Sequence, residues 1–125
     1  MNTVFAPDAP KAIGPYCHAI RTGNLIFCSG QTPLNPETML IEGINITEQT
    51  NVVLHNLETV LKAANANRSH IIKTTVFLKN FADFEKMNKA YEAFFGDHKP
   101  ARTTVEVSRL PKEALVEIEC VAEIP

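Results

Sequence analysis

Four consecutive apolar residues, Leu25-Ile26-Phe27-Cys28, constrain this chain most, because a strand made of them has no side to turn towards water. Such a strand must be buried on both faces. It follows Cys17 to Ile20 across Thr22-Gly23-Asn24, a short connection of the kind that closes a β-hairpin. Ile71 to Lys79 reads as a further strand by its β-branched content, and the segments around Arg102 to Ser108 and Val116 to Ala122 alternate with a period of two. Only two stretches carry a helical period. Val53, Leu57, Val60, Leu61 and Ala64 trace one face of a helix expected from about Ile46 to Ala64, with Asn45 and Glu48 at capping-box spacing and Asn65 as a left-handed cap. A second helix starts near Asn80 or Phe81 and carries Phe84, Met87, Tyr91, Phe94 and Phe95 as its stripe, with Asn88 on or beside it; Gly96, Asp97 and Pro100 end it. The order β-β-(β)-α-β-α-β-β describes an α+β domain with a mixed sheet, and two helices cover only one face of that sheet. The other face calls for solvent or a second copy, and the doubly apolar Leu25 strand favours the copy.

A chain of 125 residues, 45% hydrophobic, suits one domain spanning residues 1–125, which would bury about 65% of the surface its unfolded chain exposes. Twelve basic and fourteen acidic residues give a formal charge of -2, with no Lys/Arg cluster, so the footprint of a nucleic-acid binder is missing. Three widely spaced cysteines, Cys17, Cys28 and Cys120, read as reduced thiols, two of them in apolar runs. Apolar runs fall short of the ~20 residues of a membrane span, and the first residues lack a signal-peptide pattern, so a cytoplasmic location is expected. Cysteines and histidines show no metal-ligand spacing, and Gly-rich phosphate loops are absent, so neither a metal nor another cofactor is expected.

The chemistry concentrates between Pro100 and Glu119. Alternation groups Arg102, Thr104, Glu106 and Ser108 on one face of the first run, and sets Glu117 and Glu119 opposite the apolar parity of Val116, Ile118, Cys120 and Ala122. Read as partner strands, the two runs would bring a guanidinium and carboxylates to one surface. Arginine suits bidentate capture of a carboxylate, and a nearby glutamate can hold a water or move a proton. A surface salt-bridge ladder is the alternative.

Five segments, in order and spanning about Ala12 to Ala122, resemble the YjgF/Rid family of reactive-imine deaminases. They are Ile13-Gly14-Pro15-Tyr16, Ser29-Gly30-Gln31 with Pro33, Lys73-Thr74-Thr75-Val76-Phe77-Leu78, Phe84-x-x-x-Asn88-x-x-Tyr91, and Pro100-Ala101-Arg102. The resemblance implies a chorismate-mutase-like α+β fold, assembly as a homotrimer with active sites between subunits, and hydrolysis of short 2-imino acids to 2-keto acids and ammonia. It assigns Arg102 to the substrate carboxylate and Glu117, with Glu119 as competitor, to the attacking water. Thr104 stands where many imine-deaminating members carry cysteine, but the family uses the backbone carbonyl there. Thr103 likewise replaces the usual Ser or Ala. Tyr16, Ser29, Gly30, Gln31, Phe84 and Asn88 match positions at or near the cleft. No motif supplies Ser29 with a base, so its backbone and small size are the expected contribution. The rival is a non-catalytic trimer that senses 2-keto acids or related carboxylates.

Overall fold

Asn45 opens the first helix as its spacing suggests. In the computed structural model, which describes residues 1–125, α1 spans Ile46–Ala63 and the Asn45 side-chain oxygen accepts the Glu48 amide at 2.9 Å. The Glu48 carboxylate reaches one residue past the usual box and accepts the Ile44 amide at 3.0 Å. At the far end Asn65 adopts φ +61°, and the Asn65 and Ala66 amides donate to the Lys62 and Leu61 carbonyls at 3.0 and 2.8 Å. That is a Schellman cap. After a 3-10 turn at Phe81–Asp83, α2 runs Phe84–Phe95 and stops at Gly96, φ +63°.

Six strands, β1 (Asn2–Val4), β2 (Ala19–Thr22), β3 (Leu25–Gln31), β4 (Ile71–Leu78), β5 (Ala101–Glu106) and β6 (Val116–Glu123), form one mixed sheet in the order β1-β2-β3-β6-β4-β5. Gly23, at φ +58°, supplies the positive φ of the two-residue hairpin turn that joins Thr22 to Leu25. β4 and β5 pair in parallel through the α2 crossover, and every other pairing is antiparallel. This corrects the expectation that the Arg102 and Glu117 runs are partners, because β4 lies between β5 and β6. Strand β1 had no sequence signal, since three residues at a sheet edge need no apolar alternation.

Both helices pack on one face, where Leu54, Leu57, Leu61 and Met87 meet Ile26, Val76, Leu78, Val116, Ile118 and Ala122. Each large side chain fully buried there contributes about 1.5–3 kcal/mol. Arg68 pins the helices together: it forks onto Glu58 of α1, with Nε to Oε2 at 2.7 Å, lies 3.9 Å over the Phe94 ring of α2, and donates to the Phe94 carbonyl. The opposite face carries no helix. Along β3, Ile26 and Cys28 are buried while Phe27 is 45% exposed, so a single chain covers only one side of the strand that the sequence marks for double burial. Cys28 and Cys120 are cross-strand partners under the helices, and all three cysteines are free thiols. No helix is long and apolar enough to cross a membrane.

Candidate active site

Glu117 sits on the helix-free face of β6, half-buried, with its side chain laid over Gly30 of β3. A Cβ on Gly30 would fall 3.0 Å from the Glu117 Cδ and 3.2 Å from its Cγ, a closeness only glycine permits. The β3 register shifts between Cys28 and Gln31, and that irregularity brings the Gly30 backbone under the carboxylate. Burial, and then the charge of neighbouring Glu119, push the Glu117 carboxyl above the usual carboxylate range. Glu119, by contrast, is exposed.

Tyr16, Ser29, Gly30, Gln31, Pro111 and Glu117 line one cavity of about 430 Å³. The Ser29 hydroxyl donates to the Cys17 carbonyl at 2.7 Å and its amide to the His18 carbonyl at 3.0 Å, so its polar groups hold the wall together. Tyr16 is 46% exposed and its hydroxyl accepts the Ile13 amide at 3.2 Å, folding the ring over its own loop.

Arg102 belongs to a different cavity. Its guanidinium lies 4.8 Å over the Tyr91 ring and 5.7 Å from the Phe84 ring centroid, a stacked posture that fixes the fork while leaving its donors free. The single salt bridge in the chain is Arg68 to Glu58, so the ion-pair ladder weighed for Arg102 is not formed. Asn88, Tyr91, Phe95, His98 and Lys99 complete this cavity of about 370 Å³. The Tyr91 hydroxyl shares a 2.7 Å hydrogen bond with Thr74 Oγ1, and burial raises its pKa. Asn88 Oδ1 and Thr104 Oγ1 are buried without hydrogen-bond partners. The Val107 amide donates to the Leu78 carbonyl, and the two-residue period of a parallel ladder then turns odd residues of β5 towards β4. The Thr104 carbonyl therefore points outward from the sheet edge.

Strand register settles how the two groups relate. Arg102 is level with Thr74 and Cys120 on the helix-covered face, whereas Glu117 is level with Phe77 and Val105 on the open face. The expected shared surface does not exist within one chain. Tyr16, Ser29, Gly30, Gln31 and Glu117 come together on one side, and Phe84, Asn88, Arg102 and Thr104 on the other. Sequence reasoning missed Tyr91 as the platform for Arg102, although its place one turn beyond Asn88 was the available signal. It also missed His18 and Pro111, which no motif distinguishes.

Over residues 6–124 the chain matches the family profile described as Endoribonuclease L-PSP. A RutC family protein of Pyrococcus abyssi is 50% identical over 121 residues, covering 97% of this chain and 95% of that one. The 2-iminobutanoate/2-iminopropanoate deaminase of Escherichia coli is 43% identical over 124 residues, covering 97% and 96%. Among solved structures, the E. coli YjgF gene product superposes with a TM-score of 0.94 at 41% identity, and E. coli TdcF with bound serine with 0.95 at 36%; each match covers all of both chains. The chain belongs to this family, the YjgF/RidA family. Its relatives include a named imine deaminase, so a RidA-like role is the reading that the family supports.

Proposed function

We propose that this protein hydrolyses short 2-imino acids, such as 2-iminobutyrate and 2-iminopropanoate, to 2-keto acids and ammonia, in clefts formed between the subunits of a homotrimer. The observation that carries this reading is the division of labour across the sheet. A half-buried carboxylate of raised basicity stands on the open face, and an unpaired, ring-stacked guanidinium stands on the helix-covered face near the edge. Two groups on opposite faces of one sheet act on one small molecule only if a neighbouring copy supplies one of them. The uncovered apolar face that exposes Phe27 and Val105 gives such copies a surface to share.

In the assembled cleft, the Arg102 fork binds the substrate carboxylate, each charge-assisted hydrogen bond contributing about 1.5–3 kcal/mol. Glu117 and the outward Thr104 carbonyl hold a water against the iminium carbon. As the water oxygen bonds to that carbon, Glu117 takes its proton and the C=N electron pair moves to nitrogen. The protonated Glu117 then returns the proton to the amine of the carbinolamine. As the C–N bond breaks and ammonia leaves, the regenerated Glu117 carboxylate takes the hydroxyl proton and passes it to ammonia, leaving the keto acid. An iminium is electrophilic enough that positioning and proton transfer suffice. Such imines arise from pyridoxal-phosphate enzymes, and clearing them in the cytoplasm would protect those enzymes.

A second reading, a carboxylate sensor, is favoured by the unpaired Arg102 and by the serine bound to the related TdcF. The test couples an amino-acid oxidase that generates the imine to the purified protein and follows keto-acid appearance. Acceleration over the uncatalysed rate supports the enzyme, and binding of a stable 2-keto acid without acceleration supports the sensor.

A further inference from the structure

His18 is 4% exposed and both of its ring nitrogens are bonded, yet none of the chemistry above uses it. The Ala6 amide donates to Nδ1 at 3.1 Å, and Nε2 lies 2.8 Å from the Pro10 carbonyl. An amide N–H only donates and a carbonyl only accepts, so the ring here is the neutral tautomer with its proton on Nε2. Phe5 lies against it, with ring centroids 5.7 Å apart. On the other side of the chain, the His18 and Cys17 carbonyls accept the Ser29 amide and hydroxyl. His18 is thus bonded through its backbone to the Ser29 wall of the Glu117 cavity and through its ring to the segment from Ala6 to Pro10. From Pro10 to Tyr16 the other hydrogen bonds are local: Tyr16 N–H to the Gly14 carbonyl, and Ile13 N–H to the Tyr16 hydroxyl. Neither ties the loop to the sheet. Lys11, Ile13 and Tyr16 of this loop line the cavity nonetheless.

We infer that His18 is a positioning residue: its Nε2-protonated ring holds the Pro10–Tyr16 loop in place as the outer wall of the Glu117 cavity. The inference rests on reading that cavity as part of the substrate site. His18 itself borders the cavity, but it is 4% exposed and both ring nitrogens are spent on Ala6 and Pro10. The ring offers a substrate no polar atom, and Glu117 is seated by Gly30 and β6 rather than by the loop. Losing the clamp therefore weakens substrate binding more than the chemical step. Leucine fills the ring's volume with neither bond, whereas glutamine carries a donor and an acceptor on one amide.

Nitrogen-15 NMR of the wild-type protein should show the proton on Nε2 of His18, with the Ala6 amide protected from exchange. A proton on Nδ1, or an unprotected Ala6 amide, would overturn the inference. With imine substrate, His18→Leu should raise KM about tenfold and change kcat less than about threefold, and His18→Gln should recover most of the loss. A fall in kcat at unchanged KM, or a glutamine variant no better than leucine, would overturn it. Were the wild type to show no hydrolysis, the proposed reaction would fail separately. Calorimetric Kd for 2-ketobutyrate would then decide the loop: about tenfold weaker in folded His18→Leu supports the clamp, and an unchanged Kd refutes it. If His18→Leu does not fold, the tautomer, the Ala6 protection and the His18→Gln variant still decide.

Discussion

Gly30→Ala isolates the Glu117 carboxylate from everything else in the fold. The backbone at Gly30 lies outside the left-handed region, so alanine fits there without dihedral strain. What does not fit is the new methyl, which runs into the Glu117 carboxylate oxygen and comes within 3.0 Å of its Cδ. The obstacle is the far end of a rotatable side chain, so the fold yields by swinging Glu117 away, at a cost of about 1 kcal/mol of stability. Catalysis cannot yield in the same way. Losing a positioned base costs about 10²-fold at the low end, equivalent to about 2.7 kcal/mol of barrier. Keto-acid release from an enzymatically generated imine should fall by about 10²-fold or more, while the melting midpoint drops by only about 3–5 °C and calorimetric affinity for a 2-keto acid stays within about threefold. Turnover within about threefold of wild type would refute the role given to Glu117, and a stability loss above about 4 kcal/mol would refute the packing argument.

Arg102→Lys keeps the charge but loses the fork and the stack over Tyr91, and Arg102→Ala should cost about 3 kcal/mol in kcat/KM, whereas exposed Arg109 should be replaceable without effect. Burial raises the folded pKa of Glu117 above its unfolded value, so its contribution is fully present below the unfolded pKa and is lost as pH rises through the folded one. Glu117→Gln should therefore melt no lower than wild type at neutral pH, with the difference shrinking in acid, and the acid limb of the wild-type kcat profile should lie above the ordinary carboxylate range. Arg68→Ala leaves Glu58, whose side chain is 11% exposed, without its partner; because Arg68 itself is 43% exposed, denaturant titration should read a loss of about 2 kcal/mol rather than that of a fully buried pair.

The helices were legible because their signals are local. Asn45, Glu48 and Asn65 act within a few residues of themselves, and the stripe of Val53 to Leu61 buries where the period places it, as do Met87, Tyr91 and Phe95 of the second stripe, with Phe84 and Phe94 partly buried against the core. Strand neighbours are not local information. Alternation fixes which side chains share a face of one strand, but nothing in Arg102 to Ser108 says that the α2 crossover carries β5 back alongside β4 and leaves the next slot to β6. The face assignment of β5 was also ambiguous, since its apolar parity, with Val105 at 38% exposure, turns away from the helices while Arg102 and Thr104 turn under them. Both departures fall on the residues proposed to act. A strand whose apolar side faces outward and whose polar side is tucked under a helix is out of place in a lone chain, and fits one whose outer face meets another copy.

Complementation between two inactive variants tests the intersubunit cleft most directly. In the proposed homotrimer, Arg102→Ala and Glu117→Gln would each disable every cleft. Unfolded together in equal amounts and refolded, they give mixed trimers in which a cleft has an intact arginine half the time and an intact glutamate from its neighbour half the time, so about a quarter of the wild-type rate should return. No recovery in a mixture shown to contain mixed trimers would contradict the account, because it would mean that Arg102 and Glu117 never serve the same substrate from different copies of the chain.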